Sequence, residues 1–397
     1  MIIYFIILRM YSELEQMEKD PSLLYSTYVI DGVRLDLTPE MMLRSVMDAR
    51  ELDRAPSPLA APPSPAGIVD ETPDVVPKNN DLRSLSAQEC LDAVRSSEEV
   101  FPLEFSSSYT RFLLTSSIID TLWLEGSFKI GDLCTRASWK WNPTLLGSMA
   151  AFYHSVSAAC DCLDSLGICL EDYECISGEG KCSLAFTQGL RPVCETEEQD
   201  DFISEPYRSR FPEMGSSRLI GERLVPEPGS WVIYIPFDTS DFRLGASRLS
   251  ALYSLSDPAP RLEDSDYFLD CYEVLREFSE DGVLLSAATV GPLSLMDTLS
   301  RMCSRLCALD ADISGIMDAY GEKQALRVLF SNIPGVVIQI RDQDFDYLDA
   351  ELLLQDVAYY PLGHPDTALG ELKISTQGNS GLQSILASLL KGAEGED

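Results

Sequence analysis

Residues 281–340 constrain the fold more tightly than any other stretch of this chain. Gly282 leads into a short apolar run, 283–287, which suits a buried strand. Leu295, Met296, Leu299, Met302, Cys303 and Leu306 then recur at helical spacing, which predicts one amphipathic run reaching Leu309 with its apolar face on that strand. Ala325, Leu326, Leu329 and Phe330 form a second apolar stripe. Pro334 ends that helix, and Val336, Val337, Ile338 and Ile340 make the next strand. Strand, helix, helix, strand is a compact α/β unit able to bury a core of its own.

The rest of the chain is long enough for a second core. It has 397 residues, 45% of them hydrophobic, which predicts two domains. Lys and Arg total 30 against 64 Asp and Glu, a net charge of -34, which argues against nucleic acid or an anionic membrane surface as partner. The eleven cysteines follow no small-scaffold pattern and read as reduced cytosolic thiols. Cys169, Cys175 and Cys182 lack the spacing of zinc pairs. The apolar run 1–8 falls far short of the roughly 20 residues a membrane helix needs, and no basic region precedes it as in a signal peptide.

Taken in order, residues 28–37 predict two strands joined by an Asp31-Gly32 turn, with a short helix opening at Pro39. Residues 55–80 carry seven prolines among few large apolar side chains and read as a disordered spacer. Ser86 and Glu89 form a capping-box pattern for a helix over 87–95. Helices are predicted over 108–122 and 149–163, the latter capped by Gly167. Later come a strand over 231–236, a helix over 267–278, strands near 358–362 and 372–375, and a terminal helix over 381–391. His154 sits mid-helix beside core positions and His364 in a Pro-bounded loop, so both read as structural, and no Cys–His nucleophile pair can be assembled.

Several patches, in order, carry a resemblance. Leu329-Phe-Ser-Asn-Ile-Pro-Gly-Val-Val-Ile-Gln-Ile340, the Trp139-Lys-Trp141 pair, Gly180-Lys-Cys-Ser-Leu184 and Leu244-Gly-Ala-Ser247 resemble signatures of phosphoribosylformylglycinamidine synthase, of the aminoimidazole ribonucleotide synthetase-like superfamily. The likeness is to the second of its two synthetase halves and runs from about residue 28 to 376. It implies an α+β fold of two domains with mixed sheets and packed helices, and a strand over 133–141 that ends in the Trp pair. On that reading 1–27 is an extension, 28–223 the first domain with the Pro-rich insertion 55–80, 224–376 the second, and 377–397 a helix and acidic tail.

The resemblance also implies a Mg-ATP or structural ADP site, and here this chain departs from the pattern. The family's Glu and Asn, four residues apart on one helix, match Ser116 and Asp120. Its His-Asp-x-Ser-Asp-Gly-Gly turn matches Ala288-Thr-Val-Gly-Pro-Leu-Ser294, without an acid or paired glycines. A Glu-Asp helix start is Ser148-Met149, and the Asp of Gly-Lys-Asp-Ser is Cys182. Asp120 remains as a metal candidate or a solvated acid. Lys181 and Ser183 remain as nucleotide-binding candidates, or as a surface lysine and a capping serine. No catalytic residue is assigned. Two readings follow: a degenerate, non-catalytic scaffold of cytoplasmic purine synthesis, acting as a homodimer or with purine-synthesis subunits, or an active ATP-dependent subunit that amidates formylglycinamide ribonucleotide with separate partners.

Overall fold

The computed structural model describes residues 21–47, 67–74, 85–124, 128–191 and 218–376. Over these the chain is α+β, with helices packed on small sheets, several of them mixed, and it divides into two compact units. Of the described residues, the first unit holds 21–47, 67–74, 98–118 and 128–191, and the second holds 85–97, 119–124 and 218–376. Residues 85–97 and 119–124 therefore join the second unit rather than the first domain of the sequence reading. Their anchors explain this, since Arg95 binds Asp297 and the Trp123 indole binds Thr289.

The first unit has two three-stranded sheets. In one, β1 (Tyr28–Ile30) lies between antiparallel β2 (Val33–Arg34) and parallel β3 (Ile68–Asp70). The β1–β2 link is the Asp-Gly turn, with φ 51° at Asp31 and 77° at Gly32, the left-handed pair that a two-residue hairpin of this twist demands. In the other sheet, β4 (Leu133–Trp141) lies between parallel β5 (Cys169–Ser177) and antiparallel β6 (Ser183–Leu190). Helices α1 (Pro39–Ser45), α2 (Ser106–Ile119) and α3 (Ser148–Leu166) surround them; α2 ends at the boundary between the units.

Trp139 and Trp141 anchor this core. Both are buried, and Phe152 of α3 packs against both rings. A buried indole N–H left unpaired would cost about 1–3 kcal/mol. Each has an acceptor from α3: Trp139 donates to Ser155 Oγ at 3.0 Å and Trp141 to the Ser148 carbonyl at 2.7 Å. Gly167 closes α3 at φ 68° as expected.

The Pro-rich stretch needs a correction. Its described part, 67–74, is ordered and builds β3, because Tyr28, Val29 and Ile30 of β1 offer a parallel partner. Asp70 then caps α3 from 79 residues away, its Oδ2 accepting from Met149 N at 2.8 Å and Ala150 N at 3.1 Å. Pro73 packs so closely on Gly147 that a Cβ there would meet it at 2.8 Å. Thr72 donates to both carboxylate oxygens of Asp31, at 2.9 and 2.8 Å, and these bonds hold the Asp31 carboxyl below its ordinary range. The acid that α3 lacks at its own start thus comes from the insertion. The remainder of 55–80, the run 1–8 and the helix expected over 381–391 lie outside the described residues.

The second unit is built on the antiparallel sheet β11-β7-β10-β8, from β7 (Trp231–Pro236), β8 (Leu284–Thr289), β10 (Gly335–Ile340) and β11 (Tyr360–Gly363). β10 is buried along its whole length. Gly335 opens it because a Cβ would lie 2.7 Å from the Ile235 carbonyl of β7. Helices α4 (Ser265–Glu280) and α5 (Ser294–Met302) bury their apolar stripes, and Gly282 at φ 68° turns the chain from α4 into β8. The amphipathic run ends at Met302 rather than Leu309. Ser304 pairs with Cys307 across a tight turn, Leu306 at its tip is 79% exposed, and β9 (Ala308–Asp312) follows. β9 lies between β12 (Pro365–Asp366) and β13 (Lys373–Ser375). The sequence reading contained none of β3, β5, β6, β9 and β12.

Replacing Asp70 with Ala should remove both the acceptor and the charge facing the α3 N-terminus and lower unfolding free energy by about 0.5–2 kcal/mol. Urea titration of the two proteins would show it; an unchanged midpoint would mean that the cap contributes nothing.

Candidate functional site

The resemblance points to two places, one in each unit. In the first unit, the turn before β6 is shaped by Asn142, the residue after the Trp pair. Its Nδ2 donates to the Gly180 carbonyl at 2.7 Å and its Oδ1 accepts from Thr144 N at 3.0 Å and Thr144 Oγ1 at 2.7 Å. Cys182 is buried in this turn, where its Sγ accepts from Asn142 N, and burial raises its thiol. The position that would carry the family's carboxylate is thus an apolar anchor. Lys181 and Ser183, on either side, are exposed. Lys181 Nζ contacts the Glu98 carboxylate, which is held below its ordinary range by that ammonium. Ser183 begins β6, in register with Lys140 of β4.

In the second unit, Asp120 opens a 3-10 turn, Asp120–Trp123, that follows directly from α2. Its Oδ1 accepts from the Thr289 hydroxyl at 3.1 Å and lies 3.5 Å from Arg218 Nη1. Thr289 Oγ1 in turn accepts from Trp123 Nε1 at 2.8 Å. Arg218 also donates to the Ile220 carbonyl at 3.3 Å and the Ala287 carbonyl at 3.4 Å. The carboxylate is therefore part of a lattice that fixes the turn to the end of β8, with a guanidinium as its cationic neighbour. Ser116, one helical turn earlier, is buried and brings no charge. No group of three or more His, Cys, Asp or Glu side chains among the described residues is placed to hold a metal ion.

The turn between β8 and α5 is built from backbone. Val290 N donates to the Gly335 carbonyl at 2.8 Å and Ser294 N to the Gly291 carbonyl at 2.8 Å. Ser294 holds φ 84°, a left-handed value that glycine adopts more readily. The acid of this region is Asp297, which sequence reasoning missed. It is buried, and it accepts from Arg95 Nε and Arg301 Nε, each at 2.8 Å; Arg301 also contacts Glu222. Only its place in the first turn of an amphipathic helix hinted at a role, for Arg95 lies 202 residues away.

Both histidines are packing elements. His364 Nδ1 lies 2.9 Å from the Ser230 carbonyl and the ring sits 4.0 Å from that of Trp231. His154 is half-buried in α3, and burial lowers its pKa below 6.5, partly offset by Asp31.

No family model matches the sequence. Among solved structures, the chain is similar to a protein from Thermus thermophilus, at 12% identity over 70% of this chain and 80% of that one, TM-score 0.42. It is similar to PurLQS from Thermotoga maritima, at 10% identity over 70% of this chain and 40% of that one, TM-score 0.46. It is also similar to HypE, a hydrogenase maturation protein of E. coli, at 11% identity over 68% of this chain and 76% of that one, TM-score 0.39. The alignment with PurLQS thus takes in about two fifths of that chain. At such identities and scores no residue role passes from these proteins to this one. No helix among the described residues is long and apolar enough to cross a membrane.

Two substitutions separate the acids by burial. Asp297→Ala removes a buried acceptor shared by two partly exposed guanidiniums and should cost about 1.5–3 kcal/mol, whereas Asp120→Ala, an exposed pair, should cost under about 1 kcal/mol. Equal losses in urea unfolding would refute the distinction. His154 supplies a pH signature. Its folded pKa lies below the unfolded 6.5, so its contribution is present above that pH and is lost as pH falls through the lowered value. His154→Gln should flatten the melting-temperature profile below pH 6.5; an unaltered slope would exclude this linkage.

Proposed function

We propose that this chain is an aminoimidazole ribonucleotide synthetase-like protein, related to the second synthetase half of phosphoribosylformylglycinamidine synthase, that keeps the scaffold without the catalysis. Phosphoryl transfer from ATP needs carboxylates that hold Mg²⁺ and donors that hold the phosphates. The residues at the corresponding places do not fit that group. Asp120 faces Arg218, whose positive charge opposes a second cation at the same oxygen. The β8–α5 turn carries no carboxylate from Ala288 to Ser294. Cys182 stands buried where an acid would be required. The observation that most supports the reading is that Asp120 already has Arg218 and Thr289 as partners.

On this reading the protein acts in the cytoplasm as an assembly partner, as a homodimer or with subunits of purine synthesis. One observation favours the alternative of an active ATP-dependent subunit. The Lys181–Glu98 pair is solvent-exposed and so holds weakly, leaving a phosphate able to compete for the ammonium beside Ser183.

Titration calorimetry with Mg-ADP and Mg-ATP, on the purified protein and on Lys181→Ala, tests the choice. The expected result is no saturable heat at millimolar nucleotide from a folded dimer, the dimer being read by light scattering. Micromolar binding that Lys181→Ala weakens would overturn the scaffold reading in favour of a working nucleotide site.

A further inference from the structure

The register of the first unit's central sheet places two thiols side by side. β4 and β5 run parallel, and Cys134 is the direct partner of Cys169 across them. Directly paired residues of parallel strands project to the same face, at the inter-strand spacing of roughly 4.8 Å. That spacing falls inside the Cα window of about 4.4–6.8 Å that disulfides span. On the other side of β4, Cys134 pairs with Gly189 of β6, so no side chain crowds it from that strand. Cys134 is buried, while Cys169, at the first position of β5 just after the α3 cap, is half-buried and so within reach of a small solute.

The other cysteines are placed differently. Cys175 pairs with Trp139, and Cys307 pairs with Ser304. Cys182 is held by Asn142. Burial pushes Cys160 and Cys162 up to about 12, which leaves little of the reactive thiolate near neutral pH. Among the described residues, Cys134 and Cys169 are the one cysteine pair in strand register.

We propose that Cys134 and Cys169 form an oxidation site, a cross-strand dithiol that closes to a disulfide when the protein meets a peroxide. The Cys169 thiolate attacks one oxygen of hydrogen peroxide, the O–O bond breaks, and sulfenic acid forms with release of hydroxide. The Cys134 sulfur, as thiolate, then attacks the Cys169 sulfur, the S–O bond breaks, and the oxygen leaves as water after taking up the Cys134 proton. The two thiols together lose two electrons and two protons, and the peroxide is reduced to two waters. The product ties β5 to the central strand across the loop that contains α3, and a thiol reductant reverses it.

The test uses the folded full-length protein, treated with hydrogen peroxide and then quenched with an alkylating agent. Mass spectrometry should show a loss of two hydrogens, and non-reducing proteolysis should yield one linked pair of peptides carrying Cys134 and Cys169. Dithiothreitol should restore the starting mass. Cys134→Ser and Cys169→Ser should each abolish the link, with far-UV circular dichroism confirming that each remains folded. The proposal falls if the folded wild-type protein gives no such link, or if the same loss of mass persists in a folded Cys169→Ser variant. Should either variant not fold, peptide mapping of the wild type alone decides, since a link between any other two cysteines overturns the assignment.

Discussion

One buried carboxamide holds the second unit to its central strand. Gln339 is fully inaccessible in β10, yet it uses its amide on every side: Nε2 donates to the Val225 carbonyl and to Ser230 Oγ, and Oε1 accepts from Val225 N and from Ser286 Oγ. The segment entering β7, the strand β8 and the strand β10 therefore meet on a single side chain. An apolar residue of similar size would take this partner from the fully buried Ser230 and Ser286 hydroxyls, at about 1–3 kcal/mol for each group left unsatisfied. The network fixes register as well as stability, because a one-residue slip of β10 would send the amide to the other face of the sheet. Gly335, at the start of the same strand, completes the constraint by letting β10 approach β7 closely.

Features written in local pattern were legible in the sequence. The Ser86–Glu89 box closes as expected, with Glu89 N donating to Ser86 Oγ and Ser86 N to Glu89 Oε2. The Gly167 cap and the strands at 284–289 and 335–340 likewise follow from periodicity and punctuation, and the resemblance implies the Trp139–Trp141 strand. What escaped depends on distant partners. β5, with Glu171, Asp172 and Glu174 among its few apolar residues, becomes a strand because β4 offers an edge. β9 continues an apolar spacing that reads as helix until the Ser304–Cys307 turn interrupts it. The clustered prolines around Ile68 and Val69 hid a strand whose partner lies some forty residues upstream. At the candidate site, sequence comparison exposed which carboxylates were missing, but the Arg218–Asp120 and Arg95–Asp297 pairings emerge only in three dimensions.

Those pairings also give the net charge of -34 a spatial meaning. In the second unit, scarce cations lie against acids of the same unit: Arg95 and Arg301 on Asp297, Arg327 on Asp257, and Arg276 on Glu273 and Glu280. Each of these guanidiniums has its charge offset by a carboxylate of the same unit.

The cap on α3 carries a consequence for how such a protein tolerates change. The same two backbone N–H groups are served by Asp70 here, from a segment 79 residues upstream, although the helix begins Ser148-Met149. An acid at the helix start and an acid at position 70 are alternative solutions to one electrostatic demand. The effect of a substitution at one would depend on the residue at the other, an epistatic pair linking the Pro-rich segment to the core helix. Through this pair a stretch that reads as a dispensable spacer has become a condition on which mutations the core can accept.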